Sequence, residues 1–281
     1  TFRYPGAPML TEDRWWQIRR PAPLLGQHTQ EILQADLGYS QEEAARVADG
    51  KSSQKPPTTS TTPVTVAGGS GNGKVKRPLE GIRVADITMV GAGPYGCMFL
   101  ADMGAEVIRV ESLNVFPSST RGPFARPNKE AEAKAPTSRY PNRDPGERPW
   151  NRAAMFNAHA RNKHSMTVDL TTPEGHDVFR KLVEVSDIFI ENNAPGSIDR
   201  LGINYSVLSQ WNPRLIMISS CGMGQTGPWH HFRGYGSMFE AAYGHAAATG
   251  YPDMDAEGAP ASIAADGAAG VGIAFAAMMA L

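Results

Sequence analysis

Short apolar strands alternate with helical segments along most of this chain, and no other feature restricts its fold as strongly. Residues 78–112 have a strand–helix–strand pattern, and the alternation resumes over residues 156–281. Thr172 followed by Pro173 predicts the start of one helix, because threonine caps free backbone N–H groups and proline suits the first turn. Strands that alternate with helices form parallel sheets through right-handed crossovers. We therefore expect an α/β fold in which helices flank a parallel sheet.

The composition divides the chain into three parts and excludes several classes of partner. Residues 51–77 are rich in Ser, Thr, Pro and Gly, so we expect a flexible linker between residues 1–50 and residues 78–281. The net charge of −1 supports neither a nucleic-acid partner nor an anionic membrane surface. No apolar run approaches the ~18–20 residues of a membrane span. The chain has two isolated cysteines, Cys97 and Cys221, which favours a reducing, cytoplasmic compartment. Their spacing is not that of metal ligands, so we expect no metal site.

The first strand runs into a glycine turn that matches the dinucleotide-binding fingerprint G-x-G-x-x-G. The glycines are Gly91, Gly93 and Gly96, and Glu111 ends the next strand, where an acid can bind a ribose hydroxyl. The match predicts a Rossmann-like fold and leaves an NAD(P)-dependent oxidoreductase as one alternative. Pro94 opposes nicotinamide binding, because proline removes a backbone N–H from the helix end where a pyrophosphate would bind. The other interpretation is a tight strand-to-helix turn that needs small residues for close packing, with Glu111 as a structural acid.

Five long segments resemble the family III CoA-transferases, in order along residues 77–281 and apart from an expanded loop at 113–150. They begin with RPLEGIRVADITMVGAGPYGCMFLADMGAEVIRVE and continue through NKHSMTVDLTTPEGHDVFRKLVEVSDIFIENNAPGSIDRLGI, NPRLIMISSCGMGQTGPW, RGYGSMFEAAYGHAAATG and SIAADGAAGVGIAFAAMMAL. This family includes formyl-CoA transferase, carnitine CoA-transferases and α-methylacyl-CoA racemase. The resemblance implies the Rossmann-like large domain of the family and an interlocked architecture, in which the two chains of a dimer thread each other.

Residues 1–50 resemble the C-terminal end of the same family, on the stretch WWQIRRPAPLLGQHTQEILQADLGYSQEE. The resemblance implies that residues 1–50 are the tail of a preceding transferase unit. Residues 78–281 would then be the N-terminal large domain of a second unit, incomplete at its C-terminus. A tandem fusion and a circular permutation both agree with this order, and we prefer a piece of a tandem fusion because residue 1 is not Met. The partner would be an identical chain in an interlocked homodimer or a second unit of the same polypeptide.

The resemblance implies a carboxylate nucleophile at Asp266, within SIAADGAAG. In the family this carboxylate attacks the thioester of an acyl-CoA donor. CoA then moves to a carboxylic acid acceptor through an anhydride and a thioester on the enzyme. From the residues alone the preferred interpretation of Asp266 is an N-cap, because it precedes a helix of small residues. The two roles are compatible, since a helix dipole keeps a carboxylate ionised.

Tyr235 bears on the choice between two activities of the family. The racemase members have a histidine at the matching position, and a tyrosine, with a pKa of about 10, suits proton transfer at neutral pH less well. CoA transfer is therefore favoured, with an acyl-CoA racemase or isomerase as the alternative. The resemblance further implies CoA or substrate contacts at Val90, Gly91, Val168, Thr171, Asn192, Asn193, Arg200, Arg233 and Tyr235.

The sequence thus predicts an enzyme that uses coenzyme A as a thioester and binds a small carboxylic acid, without a metal. Thr171 and Ser112 stand where some family members have Lys and Arg near the CoA phosphates, so the phosphate contacts are expected to differ. A non-catalytic half of a tandem enzyme is a further alternative, which the presence of Asp266 opposes. Cys97 and Cys221 have no basic partner nearby in the sequence, so we expect buried structural thiols rather than nucleophiles.

Overall fold

A five-stranded parallel sheet is the centre of this protein, seen here in a computed structural model. The residues that the structure describes are 11–13, 15–48, 77–114, 120–122, 139–253 and 264–281. The strands are β1 (Arg83–Asp86), β2 (Glu106–Glu111), β3 (Lys163–Thr167), β4 (Ile188–Glu191) and β5 (Ile216–Ser219). Their order across the sheet is β3-β2-β1-β4-β5, and each neighbouring pair is parallel. The predicted α/β fold is confirmed, whereas the predicted linker, apart from Arg77, lies outside the described residues.

Helices connect these strands and cover both faces of the sheet. They are α1 (Thr29–Glu31, continued by a π-helical turn over Ile32–Asp36), α2 (Gln41–Ala48), α3 (Ala92–Asp102), α4 (Ala154–His159), α5 (Pro173–Glu184), α6 (Ser197–Arg200), α7 (Tyr205–Trp211), α8 (Gly236–Ala242), α9 (His245–Ala248) and α10 (Ala264–Ala280). Helix α5 begins as predicted, because Thr172 Oγ1 accepts a hydrogen bond from the backbone N–H of Gly175 at 3.0 Å. Within the described ranges, no helix is both long enough and apolar enough to span a bilayer.

Alternate side chains of the strands form two cores, one on each face of the sheet. Ile108 and Phe189 point into the first core, where they meet α5, α7 and the N-terminal π-helical turn. Val107 and Ile188 point into the second core, where they meet α3 and α10. This alternation follows from the two-residue period of a strand. Because all five strands are parallel, their carboxyl ends share one edge, which is where open α/β sheets bind ligands.

Residues 15–48, which belong to the predicted tail, pack onto the sheet of residues 78–281. Trp16 lies in the core beside α3, and Leu33 is fully buried in the core on the opposite face. Asn162 Oδ1 accepts hydrogen bonds from two backbone N–H groups of this segment, at 2.6 and 2.9 Å. The segment therefore closes both cores and is joined to the sheet by specific polar contacts.

A chain of buried charges crosses the sheet from β1 to β3. Lys163 Nζ lies 3.0 Å from Asp86 Oδ2, and both side chains are fully buried. Arg109 lies between Asp86, at 3.7 Å, and Glu111, at 3.0 Å. Arg121 completes the chain with an ion pair of 2.6 Å to Glu111. Each buried charge has an opposite neighbour, which is the condition under which a protein interior tolerates ions.

Candidate active site

The turn between β1 and α3 lies against the first turn of α10, and Asp266 is where they meet. A Cβ atom at Gly91 would lie 2.8 Å from Asp266 Oδ2. A Cβ atom at Gly236, the first residue of α8, would lie 3.0 Å from Asp266 Cγ. Any other residue at these two positions would therefore push against the carboxyl group. Two glycines thus leave a slot for the Asp266 carboxyl group.

Asp266 is not the N-cap that its position before small residues indicates. It lies inside the first turn of α10, which begins at Ala264. Glu240 of α8 supplies a bond to that turn, since its buried Oε1 accepts a hydrogen bond from the backbone N–H of Ala265 at 2.9 Å. Partial burial and the negative charge of Glu240 raise the pKa of Asp266 above the ordinary value of an aspartate. The Asp266 carboxyl group is thus partly buried beside a second acid instead of capping the helix end.

The Asp266 carboxyl group faces a cavity of about 460 Å³. Most of the cavity wall is small or apolar, and Arg139 and Asp266 are the charged side chains among the described residues that line it. This size is within the ~300–1,000 Å³ range of small-molecule sites. The described lining residues are Val90, Gly122, Arg139, Ala153, Ala154, Met155, Tyr235, Gly236, Ser237 and Asp266.

One wall of the cavity is tied to the sheet by side chains that the sequence patterns do not single out. The backbone N–H of Val90, a residue with a left-handed φ of 64°, donates to Thr120 Oγ1 at 2.7 Å. Arg121, which follows Thr120 in the chain, donates hydrogen bonds to both carboxylate oxygens of Glu111 at 2.6 and 2.7 Å. Its guanidinium also lies 3.7 Å from the ring centroid of Phe156 in α4. These contacts hold the glycine turn, β2 and α4 in a fixed arrangement around the cavity.

Glu111 is a structural acid and not a ribose ligand, as the packing interpretation predicts. Glu111 forms ion pairs with Arg121 and Arg109, and it accepts a hydrogen bond from Ser165 Oγ at 2.8 Å. Burial opposes its ionisation, but the two guanidinium groups outweigh burial and lower the pKa of Glu111 to about 2. Both carboxylate oxygens therefore already have partners.

The other glycines of the fingerprint also serve packing. A Cβ atom at Gly93 would lie 2.5 Å from Thr88 Cβ, and one at Gly96 would lie 2.6 Å from Ile273 Cγ2 of α10. Small residues are therefore required for α3 to approach both the end of β1 and α10. Since each fingerprint glycine has such a neighbour, the geometry favours the packing interpretation over dinucleotide binding.

The structure brings together four of the predicted site residues, namely Val90, Gly91, Tyr235 and Asp266. Tyr235 is 52% exposed, so its ring is accessible at the cavity wall. The remaining predicted residues do not line this cavity in the described part of the chain. They are Val168 and Thr171 after β3, Asn192 and Asn193 after β4, Arg200 in α6 and Arg233 before α8.

Several of these remaining residues stand at the carboxyl edge of the sheet. Asn192 Oδ1 accepts a hydrogen bond from the backbone N–H of Met89 at 2.7 Å, which joins the end of β4 to the glycine turn. Thr171 Oγ1 donates to Asp169 Oδ1 at 2.6 Å in the loop after β3. Arg200 Nη2 donates to Ser197 Oγ at 3.1 Å, and Arg200 is exposed. They could therefore contact a ligand at the same edge without entering the cavity.

Neither cysteine lies at the cavity in the described part of the chain. Cys97 is fully buried, and burial raises the pKa of its thiol. Cys221 is less buried than predicted, although burial also raises its pKa and its Sγ contacts the carbonyl oxygen of Gly224. A raised pKa leaves little thiolate at neutral pH, so neither thiol is suited to nucleophilic attack. Among the described residues, no group of three or more His, Cys, Asp or Glu side chains could hold a metal ion.

Comparison with known proteins agrees with this geometry. The family described as CoA-transferase family III matches residues 79–281. The succinyl-CoA–D-citramalate CoA-transferase of Chloroflexus aurantiacus is 38% identical over 63% of this chain and 39% of its own length. The succinate–glutarate CoA-transferase of Agrobacterium fabrum is 37% identical over 63% of this chain and 40% of its own length.

A solved structure extends the comparison to the fold. A CAIB/BAIF family protein from Brucella suis superposes with a TM-score of 0.58 at 33% sequence identity, over 73% of this chain and 49% of that protein. This chain therefore spans about two fifths of the length of the curated relatives and about half of the solved one. The sequence match, the parallel sheet and the glycine slot at Asp266 agree, and the chain belongs to CoA-transferase family III.

Proposed function

We propose that this protein transfers CoA from an acyl-CoA thioester to a small carboxylic acid, with Asp266 as the nucleophile. The observation that carries the proposal is the Asp266 carboxyl group, held in a slot between Gly91 and Gly236 and facing a cavity of about 460 Å³. Relatives named for succinate, glutarate and citramalate support an acid as acceptor. A thioester carbonyl can approach the carboxylate because both glycines lack side chains.

The proposed reaction exchanges partners on one carboxyl group. An Asp266 oxygen attacks the thioester carbonyl carbon, and the carbon–sulfur bond breaks to give a mixed anhydride and CoA thiolate. The thiolate then attacks the Asp266 carbonyl carbon, so the donor acid leaves and a CoA thioester remains on the protein. The acceptor carboxylate attacks that thioester, again giving an anhydride and CoA thiolate. Attack of the thiolate on the acceptor carbonyl yields the new acyl-CoA and regenerates Asp266.

CoA itself is proposed to lie along the carboxyl edge of the sheet. Thr171 and Asn193 follow β3 and β4 at this edge, and the cavity at Asp266 would take the thioester end. Arg200 and Arg233 are the proposed phosphate contacts, because guanidinium groups bind phosphate with two parallel hydrogen bonds. Glycine at position 91 and the exposed ring of Tyr235 border the acyl end.

We further propose that the chain pairs with a second transferase unit, in the same polypeptide or in an interlocked dimer. Val271, Phe275 and Met279 form a stripe on α10 and are 57%, 61% and 71% exposed. Residues spaced by four lie on one face of a helix, so the stripe is continuous. Sedimentation analysis checks the interlocked-dimer form of this proposal, since Phe275→Glu should then weaken association, and an unchanged sedimentation coefficient would oppose that form. The tail role of residues 1–50 fits such a pairing, because residues 15–48 already close the cores of a sheet.

Mass spectrometry of the intact protein tests the nucleophile. Incubation with succinyl-CoA should give a CoA-sized or succinyl-sized adduct on the peptide that contains Asp266. Asp266→Asn should abolish both the adduct and CoA transfer, because an amide nitrogen and oxygen cannot form the anhydride. Asp253→Asn is a suitable control, since Asp253 is an exposed acid and does not line the cavity. An adduct or full activity in Asp266→Asn would refute the mechanism.

The same preparation separates the alternatives. Deuterium incorporation at the α-carbon of an acyl-CoA without CoA transfer would favour a racemase. A folded protein that binds acyl-CoA and never forms an adduct would favour a non-catalytic unit. Saturable nicotinamide binding would favour an oxidoreductase, although the engaged Glu111 argues against it.

A further inference from the structure

We infer that Arg139 recognises a second carboxylate on the acid, so that the protein is specific for dicarboxylic acids. This inference rests on the proposed CoA transfer. Arg139 is the cationic side chain among the described residues that line the cavity, and Asp266 is the anionic one. The other described lining side chains include the apolar Val90, Ala153 and Met155, which offer nothing to compensate a second negative charge.

The two charged residues in the described lining of the cavity differ in exposure. Arg139 is exposed, whereas Asp266 is partly buried in its glycine slot. Both side chains line the same cavity. An acid that reacts at the more buried Asp266 would therefore extend its far end toward the exposed Arg139. A planar guanidinium fork matches a carboxylate at that end.

The residues that directly follow Arg139 are held in place, which favours a recognition role for it. The neighbouring Tyr140 is only 5% exposed, and its hydroxyl would lie 3.7 Å from a Cβ atom at Gly122 on the cavity wall. Downstream, Asp144 forms a 3.2 Å ion pair with Arg152, just before α4. Arg139 thus directly precedes a segment that contacts the cavity wall at Gly122 and is tied to Arg152.

Acceptor selectivity tests the inference. With one acyl-CoA donor held constant, kcat/KM is measured for glutarate and for pentanoate, which has the same length and one carboxylate. The wild-type protein should prefer glutarate, and Arg139→Gln should reduce the glutarate-to-pentanoate ratio by about 10–100-fold, the range expected for a lost charge-assisted hydrogen bond. Arg139→Lys should retain part of the preference, and Arg143→Gln, an exposed control four residues away, should leave it unchanged.

Three outcomes would overturn the inference in distinguishable ways. An equal loss of kcat/KM for both acids would mean that Arg139 contacts the reacting carboxylate or is needed for folding. An unchanged ratio would remove Arg139 from recognition while CoA transfer stands. A wild-type protein that transfers CoA to neither acid would instead refute the proposed function and the inference with it. Calorimetric titration with glutarate gives a second readout, since Arg139→Gln should weaken glutarate binding and leave pentanoate binding as it is.

Discussion

Replacing Gly91 by alanine should displace the Asp266 carboxyl group while leaving the protein folded. The new Cβ atom would lie 2.8 Å from Oδ2, 3.1 Å from Cγ and 3.3 Å from Cβ of Asp266. An unstrained contact needs about 3.5 Å, so the carboxylate must move by about 0.7 Å. The φ of Gly91 is −122°, so its backbone is not in the left-handed region that favours glycine.

The expected effect on activity follows from that displacement. A shift of about 1 Å in a reacting group lowers a rate by about 100-fold, so Gly91→Ala should lower kcat by about 10–100-fold. Steady-state assays of CoA transfer measure this loss, and thermal unfolding verifies that the protein is folded. The matched control is Gly272→Ala on α10, where a Cβ atom meets no heavy atom within 4 Å. A folded Gly91→Ala protein with wild-type kcat would show that Asp266 is not confined in a slot.

Two further substitutions test the electrostatics around the site. Glu240→Gln keeps an oxygen that can accept the bond from α10 but removes a charge that raises the pKa of Asp266, so that pKa should fall. In the proposed mechanism the ionised aspartate attacks the thioester, so the acid limb of the kcat/KM profile should shift to lower pH, and an unshifted limb would contradict the coupling. Lys163→Met removes the nearer cation from the buried carboxylate of Asp86 and leaves Arg109, at 3.7 Å, so it should lower the free energy of unfolding by about 3 kcal/mol in urea titrations. Arg180→Met, at an exposed ion pair, should cost at most about 1 kcal/mol, and equal losses would show that burial is not decisive.

The order of strands and helices is readable from this sequence because each element follows a local rule. Alternating apolar residues place Val107 and Ile108 on opposite faces of β2, and the Thr172–Pro173 pair starts α5. Such signals depend on neighbours within a few residues. The buried charges follow no such rule. Lys163 and Asp86 are 77 positions apart, and each resembles a surface residue until the sheet places them side by side.

The cavity is less predictable than the fold for the same reason. Asp266 and the glycine turn are implied by resemblance, but Arg139 and the wall at Thr120–Gly122 belong to the expanded loop and match no pattern. The role of Glu240 is equally hard to predict, because no local pattern indicates that a glutamate in one helix accepts a hydrogen bond from the backbone of α10. Only contacts between distant segments select these side chains from others of the same type.

The glycine slot predicts an effect on stability that an ordinary tight turn would not produce. If Gly91 is small because the Asp266 carboxyl group fills the adjacent space, alanine at position 91 should be costly only when that carboxyl group is present. Overpacking typically costs about 1–3 kcal/mol, and Asp266→Ala removes Oδ2 and Cγ, leaving only the 3.3 Å contact to Cβ. The Gly91→Ala, Asp266→Ala double-mutant cycle should therefore show a coupling free energy of at least about 1 kcal/mol in urea unfolding. A coupling near zero would mean that glycine serves only the backbone turn, and that the nearness of Asp266 is incidental to it.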